Sequence, residues 1–183
     1  TLVIPESGNA VRVRVAVIDD LETESTEGVK LTATTTDNNV ADQEASDTVY
    51  IFDDLVERED GSKVDADAPD LVVTGAANVT ESDDAYLEYD VSLSGPAAGA
   101  VNVSLSLSGD ATSGEDYNPQ IQYFDGQDWV NYTGTLVIPE SGNAVRVRVA
   151  VIDDLETEST EGVKLTATTT DNNVADQEAS DTV

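Results

Sequence analysis

The chain has 183 residues and a net charge of −30, from 38 acidic against 8 basic residues, and it contains neither cysteine nor histidine. That charge makes nucleic acid and anionic membranes poor partners, and the missing residue types exclude serine–histidine and cysteine chemistry, disulfides, and thiolate or imidazole metal sites. The 39% apolar content is dominated by Val, with two Phe and one Trp, which suits strands over a thin core better than a helical bundle.

In chain order, the pattern is already strand-like at Thr1, so a fragment of something longer is expected. Val11–Ile18 reads as a long alternating strand. Residues 1–49 then recur without a single change as residues 135–183, a period of 134 residues. Identity that extends through surface loops implies recent duplication in a tandem array, the organisation of spacers, adhesins and scaffolds in which length is the product. The terminal strand of the unit is expected to close through Tyr50-Ile51-Phe52.

Residues 53–69 (DDLVEREDGSKVDADAP) are charged, hold little aromatic or β-branched sequence and end in Pro69; they read as a linker. Beyond it, Leu71–Thr74 and Asn78–Glu81 read as a broken first strand. Tyr86–Ser94 and Val101–Ser108 alternate apolar and polar residues. Ile121–Phe124 and Trp129–Tyr132 flank the turn dipeptide Asp125-Gly126 and predict a hairpin. Thr135–Ile138, Ala144–Ile152 (Arg146 and Arg148 on the wet face), Val163–Thr170 and the strand from Ala179 complete the set. Sustained helical periodicity is absent.

Seven or so short alternating strands predict an all-β, immunoglobulin-like antiparallel β-sandwich in tandem repeats. The expected boundaries are 1–54, the C-terminal half of one sandwich; 55–69, an acidic linker; and 70–183, a second sandwich lacking its final strand end. Residues 70–134 can pair with only one of the two identical halves at a time. The direct connection through Gly134-Thr135 favours 135–183, so Val147 and Val149 are expected against Leu87–Leu93 or Val101–Leu107.

The chemistry-bearing pattern is Asp153-Asp154-Leu155-Glu156-Thr157-Glu158-Ser159-Thr160-Glu161 and its copy from Asp19 to Glu27. Adjacent Asp residues at a strand end point different ways, and Glu158 and Glu161 can fold back to one point. Calcium takes six to eight oxygens at about 2.3–2.6 Å in irregular geometry, which loop carboxylates supply, whereas magnesium demands near-octahedral geometry. Asp116, Glu81 and the Asp53-Asp54 pair fall where a sandwich would bring them to one end. In the linker, Asp65-Ala66-Asp67-Ala68-Pro69-Asp70 alternates acids beside Asp53 and Asp54, a pattern for inter-repeat calcium rather than for a flexible Gly/Ser hinge.

Gly114-x-Asp116-Tyr117, Gly134-Thr-Leu-Val-Ile-Pro139, the Asp153-Asp154…Glu158…Glu161 run and the terminal Ile51-Phe52-Asp53-Asp54 together resemble the Calx-β family over the whole 134-residue unit. The segment Tyr123-Phe124-Asp125-Gly126-Gln127-Asp128-Trp129 is more similar to the extender repeats of bacterial RTX adhesins. The resemblance implies calcium ligands at Glu81, Asp116, Asp153, Asp154, Glu158 and Glu161, with the backbone carbonyl of Glu156. In the first copy it implies Asp19, Asp20, Glu24, Glu27, Asp53 and Asp54. The second copy departs from this pattern, since no terminal Ile-x-Asp-Asp follows it up to Val183, and its site is expected to be incomplete or filled by another chain.

The expected function is thus a non-enzymatic structural extender of a large bacterial surface adhesin, outside the cell, rigidified by Ca2+. Its partners would be neighbouring repeats, with no nucleic acid, no direct membrane insertion and no small-molecule substrate. The alternatives are a calcium-sensing Calx-β regulatory module, which would favour a single domain or divergent pair, and a ligand-binding adhesin domain, which would favour unique sequence and exposed aromatics.

Overall fold

Val101–Gly109 illustrates how the alternation builds a core. Val101, Val103 and Leu105 are buried while Asn102, Ser104 and Ser106 face solvent, the period of two that a half-buried strand imposes. The computed structural model describes residues 1–82, 84–155 and 159–183. Its strands are β1 (Glu27–Thr34), β2 (Glu44–Ile51), β3 (Val56–Glu57), β4 (Lys63–Val64), β5 (Leu71–Gly75), β6 (Tyr86–Leu93), β7 (Val101–Gly109), β8 (Gln122–Phe124), β9 (Trp129–Asn131), β10 (Leu136–Ile138), β11 (Val145–Ala150), β12 (Val163–Thr168) and β13 (Glu178–Thr182). No helix occurs among the described residues, and the fold is all-β.

The chain forms two compact units, one of residues 1–20 with 26–51 and the other of residues 21–25 with 52–183. In the larger unit, β10-β7-β12-β13 form one sheet and β5-β6-β11-β8-β9 another, with every neighbouring pair antiparallel. The inward residues of both sheets share one buried cluster, including Tyr89, Val91, Val103, Val147, Val149 and Leu165, so the arrangement is sandwich-like. The Tyr89 hydroxyl, on β6, donates to the Val163 carbonyl on β12 at 2.5 Å and ties the sheets together through the core. β11 pairs with β6, Val147 opposite Tyr89 and Val149 opposite Leu87, so 135–183 completes the sheets begun by 71–134.

β5 stops at Gly75, and Asn78–Glu81 lies outside any strand. The Gly75 amide donates to the Asp181 carboxylate at 2.8 Å, and a side chain at this position would meet Val183 Cγ2 at 2.6 Å. The strand ends where Asp181 of β13 and Val183 just past it pack against Gly75, so that a larger residue there would have to displace the Val183 side chain.

In the smaller unit, β1 and β2 form a regular hairpin from Glu27↔Ile51 to Thr34↔Glu44. The expected long strand Val11–Ile18 has no ladder there, although the same sequence forms β11 in the second copy. A strand of that kind is specified by its neighbours, here β6 and β8, and not by its own alternation.

Residues 53–69 do not run as an open tether. β3 and β4 pair Val56 with Val64 and Glu57 with Lys63, and Val64 is buried. The Arg58 guanidinium donates to the carbonyls of Asn172 and Val174 (both 2.6 Å) and Ala175 (3.2 Å), and to Ser62 Oγ at 3.1 Å. The Ala175 amide donates to the Pro69 carbonyl at 2.9 Å. The segment is thereby seated on the 172–176 loop of the sandwich-like unit.

Candidate metal centre

Asp53 and Asp54 follow the end of β2, and Asp65 follows β4. Pairing Val56 with Val64 closes the intervening chain and returns Asp65 to the level of Asp54. One carboxylate oxygen from each of Asp53, Asp54 and Asp65 lies within 4.8 Å of the other two. Oxygens about 2.3–2.6 Å from a common cation can be no more than about 5 Å apart, so the three fit one coordination sphere.

Asp65 is 1% exposed, Asp53 is half-buried and Asp54 is exposed. Burial pushes the Asp65 carboxyl above its ordinary range, and the charges of Asp54, Asp53 and Asp67 push the same way, against a lowering from the Asp67 amide. That amide donates to Asp65 Oδ1 at 2.8 Å. The Asp65 amide donates to Thr23 Oγ1 at 3.2 Å, the Glu24 amide to Asp53 Oδ2 at 3.0 Å, and the Thr23 amide to Asn173 Oδ1 at 3.1 Å. Four chain segments, 23–24, 53–54, 65–67 and 172–173, are thus held together around the carboxylates. A trio of negative charges with one member buried raises its own free energy unless a proton or cation neutralises it.

Of the other linker acids, Asp67 is exposed and acts at Asp65 through its amide and its charge. The Asp70 amide donates to Ser94 Oγ at 2.9 Å. In the first copy, Glu24 meets Asp53 through its amide. Asp19, Asp20 and Glu27 belong to the smaller unit, with Glu27 opposite Ile51 at the start of β1.

In the second copy the expected ligands gather as two pairs. The Asp154 amide donates to Glu81 Oε1 at 3.3 Å. Glu161, though exposed, is pushed above its ordinary range by partial desolvation and by a hydrogen bond shared with Asp116, with the charges of Asp116 and Asp110 adding to it. Asp116 Oδ2 also accepts the Thr112 amide, and Asp110 Oδ1 the Gly162 amide at 2.8 Å. Asp153 is exposed. Glu156 and Glu158 lie outside the described residues. Among the described residues, Asp53, Asp54 and Asp65 are the group of three whose oxygens converge.

The sequence pattern identifies the three aspartates but not what holds them. Thr23, Arg58 and Asn173 have no signature in one dimension, and Asp110 enters the Glu161 pair because β7 ends beside Gly162. No protein-family model matches the chain, and no curated protein is similar to it.

Proposed function

We propose that this chain is a structural extender segment of a large bacterial surface adhesin, built from immunoglobulin-like, Calx-β-like sandwiches in tandem and stiffened by calcium outside the cell. The observation that supports it is the Asp53/Asp54/Asp65 trio, in which a buried aspartate from the linker converges with two aspartates from the end of the first repeated copy. A cation there would bind linker and strand end to each other and lower the repulsion among the three charges.

Calcium suits the site better than magnesium. Three carboxylates from two chain segments offer three to six oxygens, mono- or bidentate, without octahedral order, and calcium accepts six to eight ligands in irregular geometry. The pairs Glu81/Asp154 and Asp116/Glu161 would supply further sites. On this reading the partners are neighbouring repeats of the same protein, and nucleic acid, membrane insertion, substrate and catalysis have no part.

Calorimetric titration with calcium and with magnesium, joined to small-angle scattering of the full chain, tests the proposal. Calcium should bind with a stoichiometry of at least one, more tightly than magnesium, and should narrow the distribution of dimensions seen in EDTA. Identical scattering and no binding heat in calcium would overturn it.

A further inference from the structure

The two copies of the 49-residue segment have the same sequence and opposite environments. In the second copy, Ile138, Val147, Val149 and Leu165 are 0% exposed. Their counterparts Ile4, Val13, Val15 and Leu31 are 68%, 53%, 75% and 55% exposed. A composition that buries completely in one place and stands open in another is an interaction surface whose partner is already known in kind.

We infer that residues 1–51 form a docking half whose occupant is a second copy of the 70–134 segment, additional to the one already engaged by 135–183. Three observations carry this. First, the complement is visible within the chain: β6 and β7 of the 70–134 segment pair with β11, β10 and β12 of the second copy, and every residue that 135–183 brings to those pairs recurs in 1–49.

Second, the charges match. Residues 70–134 carry 11 acidic and no basic residues, and both arginines of the 49-residue segment meet an acid or a ring of that face. Arg146 pairs with Glu88 at 3.2 Å, and the Arg148 guanidinium lies 3.9 Å from the Tyr86 ring centre and 4.2 Å from that of Trp129. Arg12 and Arg14 are the same residues in the first copy.

Third, the open face is broad: Leu2, Val11 and Val29 are exposed as well as Ile4, Val13, Val15 and Leu31, beside the unladdered backbone of Val11–Ile18.

The turn at Gly8 and the β1–β2 hairpin already have the conformation seen in the occupied copy. Gly8 has φ +70 and Gly142 φ +72, with Gly8 N–H donating to the Pro5 carbonyl and Gly142 N–H to that of Pro139. Part of the docking half is therefore preorganised, and the strand of residues 11–16 orders on capture. This inference does not depend on a metal; it rests on the tandem-sandwich part of the proposal above.

The experiment uses the full chain and, as probe, a polypeptide of residues 70–134 added during refolding from denaturant. A 1:1 complex is expected in EDTA as well as in calcium. In labelled full chain, the amides of residues 11–17 should gain at least a hundredfold in hydrogen-exchange protection. V13D/V15D/L31D in the full chain should abolish capture while the Trp129 near-ultraviolet signal of its own sandwich remains. A probe carrying Y89D/V91D should not bind.

Absence of a complex with the unaltered probe would overturn the inference. So would capture that survives V13D/V15D/L31D, which would mean that the probe exchanges into the 135–183 sandwich. Concentration-dependent self-association of the full chain that saturates residues 11–17 without probe would overturn the assignment of the occupant.

Discussion

Asp65→Asn separates the two roles of the buried aspartate because its effect should change sign with calcium. Asn keeps the oxygen that accepts the Asp67 amide, so the substitution removes charge with little change of shape. With carboxylate oxygens within 4.8 Å, each pair of charges repels by about 0.9 kcal/mol at the dielectric of water and about 3.5 kcal/mol at an effective value of 20. Asp65→Asn eliminates two of the three pairs. Asp54 is exposed and Asp53 half-buried, so the sum lies toward the watery end, about 2–3 kcal/mol. In EDTA the variant should therefore melt higher than wild type, by roughly 5–10 °C for a unit of this size. In millimolar calcium it has lost a charged ligand, should bind at least tenfold more weakly, about 1.4 kcal/mol, and should melt lower than wild type. Calorimetry in both media measures this, with exchange of the Asp67 amide as the local reporter. If Asp65→Asn melts below wild type by the same margin in EDTA and in calcium, the aspartate is a structural hydrogen-bond acceptor and the electrostatic account is wrong.

Three further outcomes follow from the same geometry. Val147→Ala should cost about 2 kcal/mol, because its side chain is fully buried, whereas Val13→Ala, the identical change in an identical sequence, should stay within about 0.5 kcal/mol in denaturant titrations followed by Trp129 fluorescence. Gly142→Ala should cost about 3 kcal/mol, since φ is +72 and the new Cβ would sit against the Gly95 carbonyl oxygen at 2.1 Å, while Gly8→Ala, with the same φ and nothing within 4 Å, should cost only the backbone strain of about 1 kcal/mol. In EDTA, Asp65 and Glu161 have folded-state affinities for protons raised above the ordinary values of 3.8 and 4.5. The folded state then binds more protons than the unfolded one between those values and the raised ones, so stability should fall as pH rises through that window. Asp181, lowered by the Gly75 and Thr182 amides, acts oppositely and withdraws its stabilisation as pH falls through and below 3.8. A melting temperature in EDTA that declines steadily from pH 7 to pH 5 would contradict the first of these.

The duplicated segment separates what the sequence determines from what the tertiary structure decides. The turn from Asp37 is local: the Asn39 amide donates to Asp37 Oδ1 at 2.9 Å, and in the second copy Asn173 donates to Asp171 Oδ1 at the same distance. The hairpin β1–β2 and its counterpart β12–β13 share a register, Ala33 opposite Ala45 and Ala167 opposite Ala179. These features recur in both copies because their hydrogen bonds close locally, wherever the rest of the chain lies. The alternation of Tyr86–Ser94 and Val101–Ser108 was legible in the sequence, since a period of two suits only a strand with one buried face.

The run AVRVRVAVI was not decided in the same way. It is β11 at 145–150 and unladdered at 11–16, because its partners are β6 and β8, more than 20 residues away in sequence, and only one copy has them. The metal centre divides along the same line. Acids at 53, 54 and 65 stood out as a cluster, but convergence required the Val56–Val64 pairing, and the burial of Asp65 required Arg58 to seat the hairpin on the carbonyls of 172–175. Carboxylate identity is written in one dimension. The distance between carboxylates follows from the Val56–Val64 pairing, and the solvent removed from around Asp65 from contacts spanning more than 100 residues, neither of which spacing along the chain encodes.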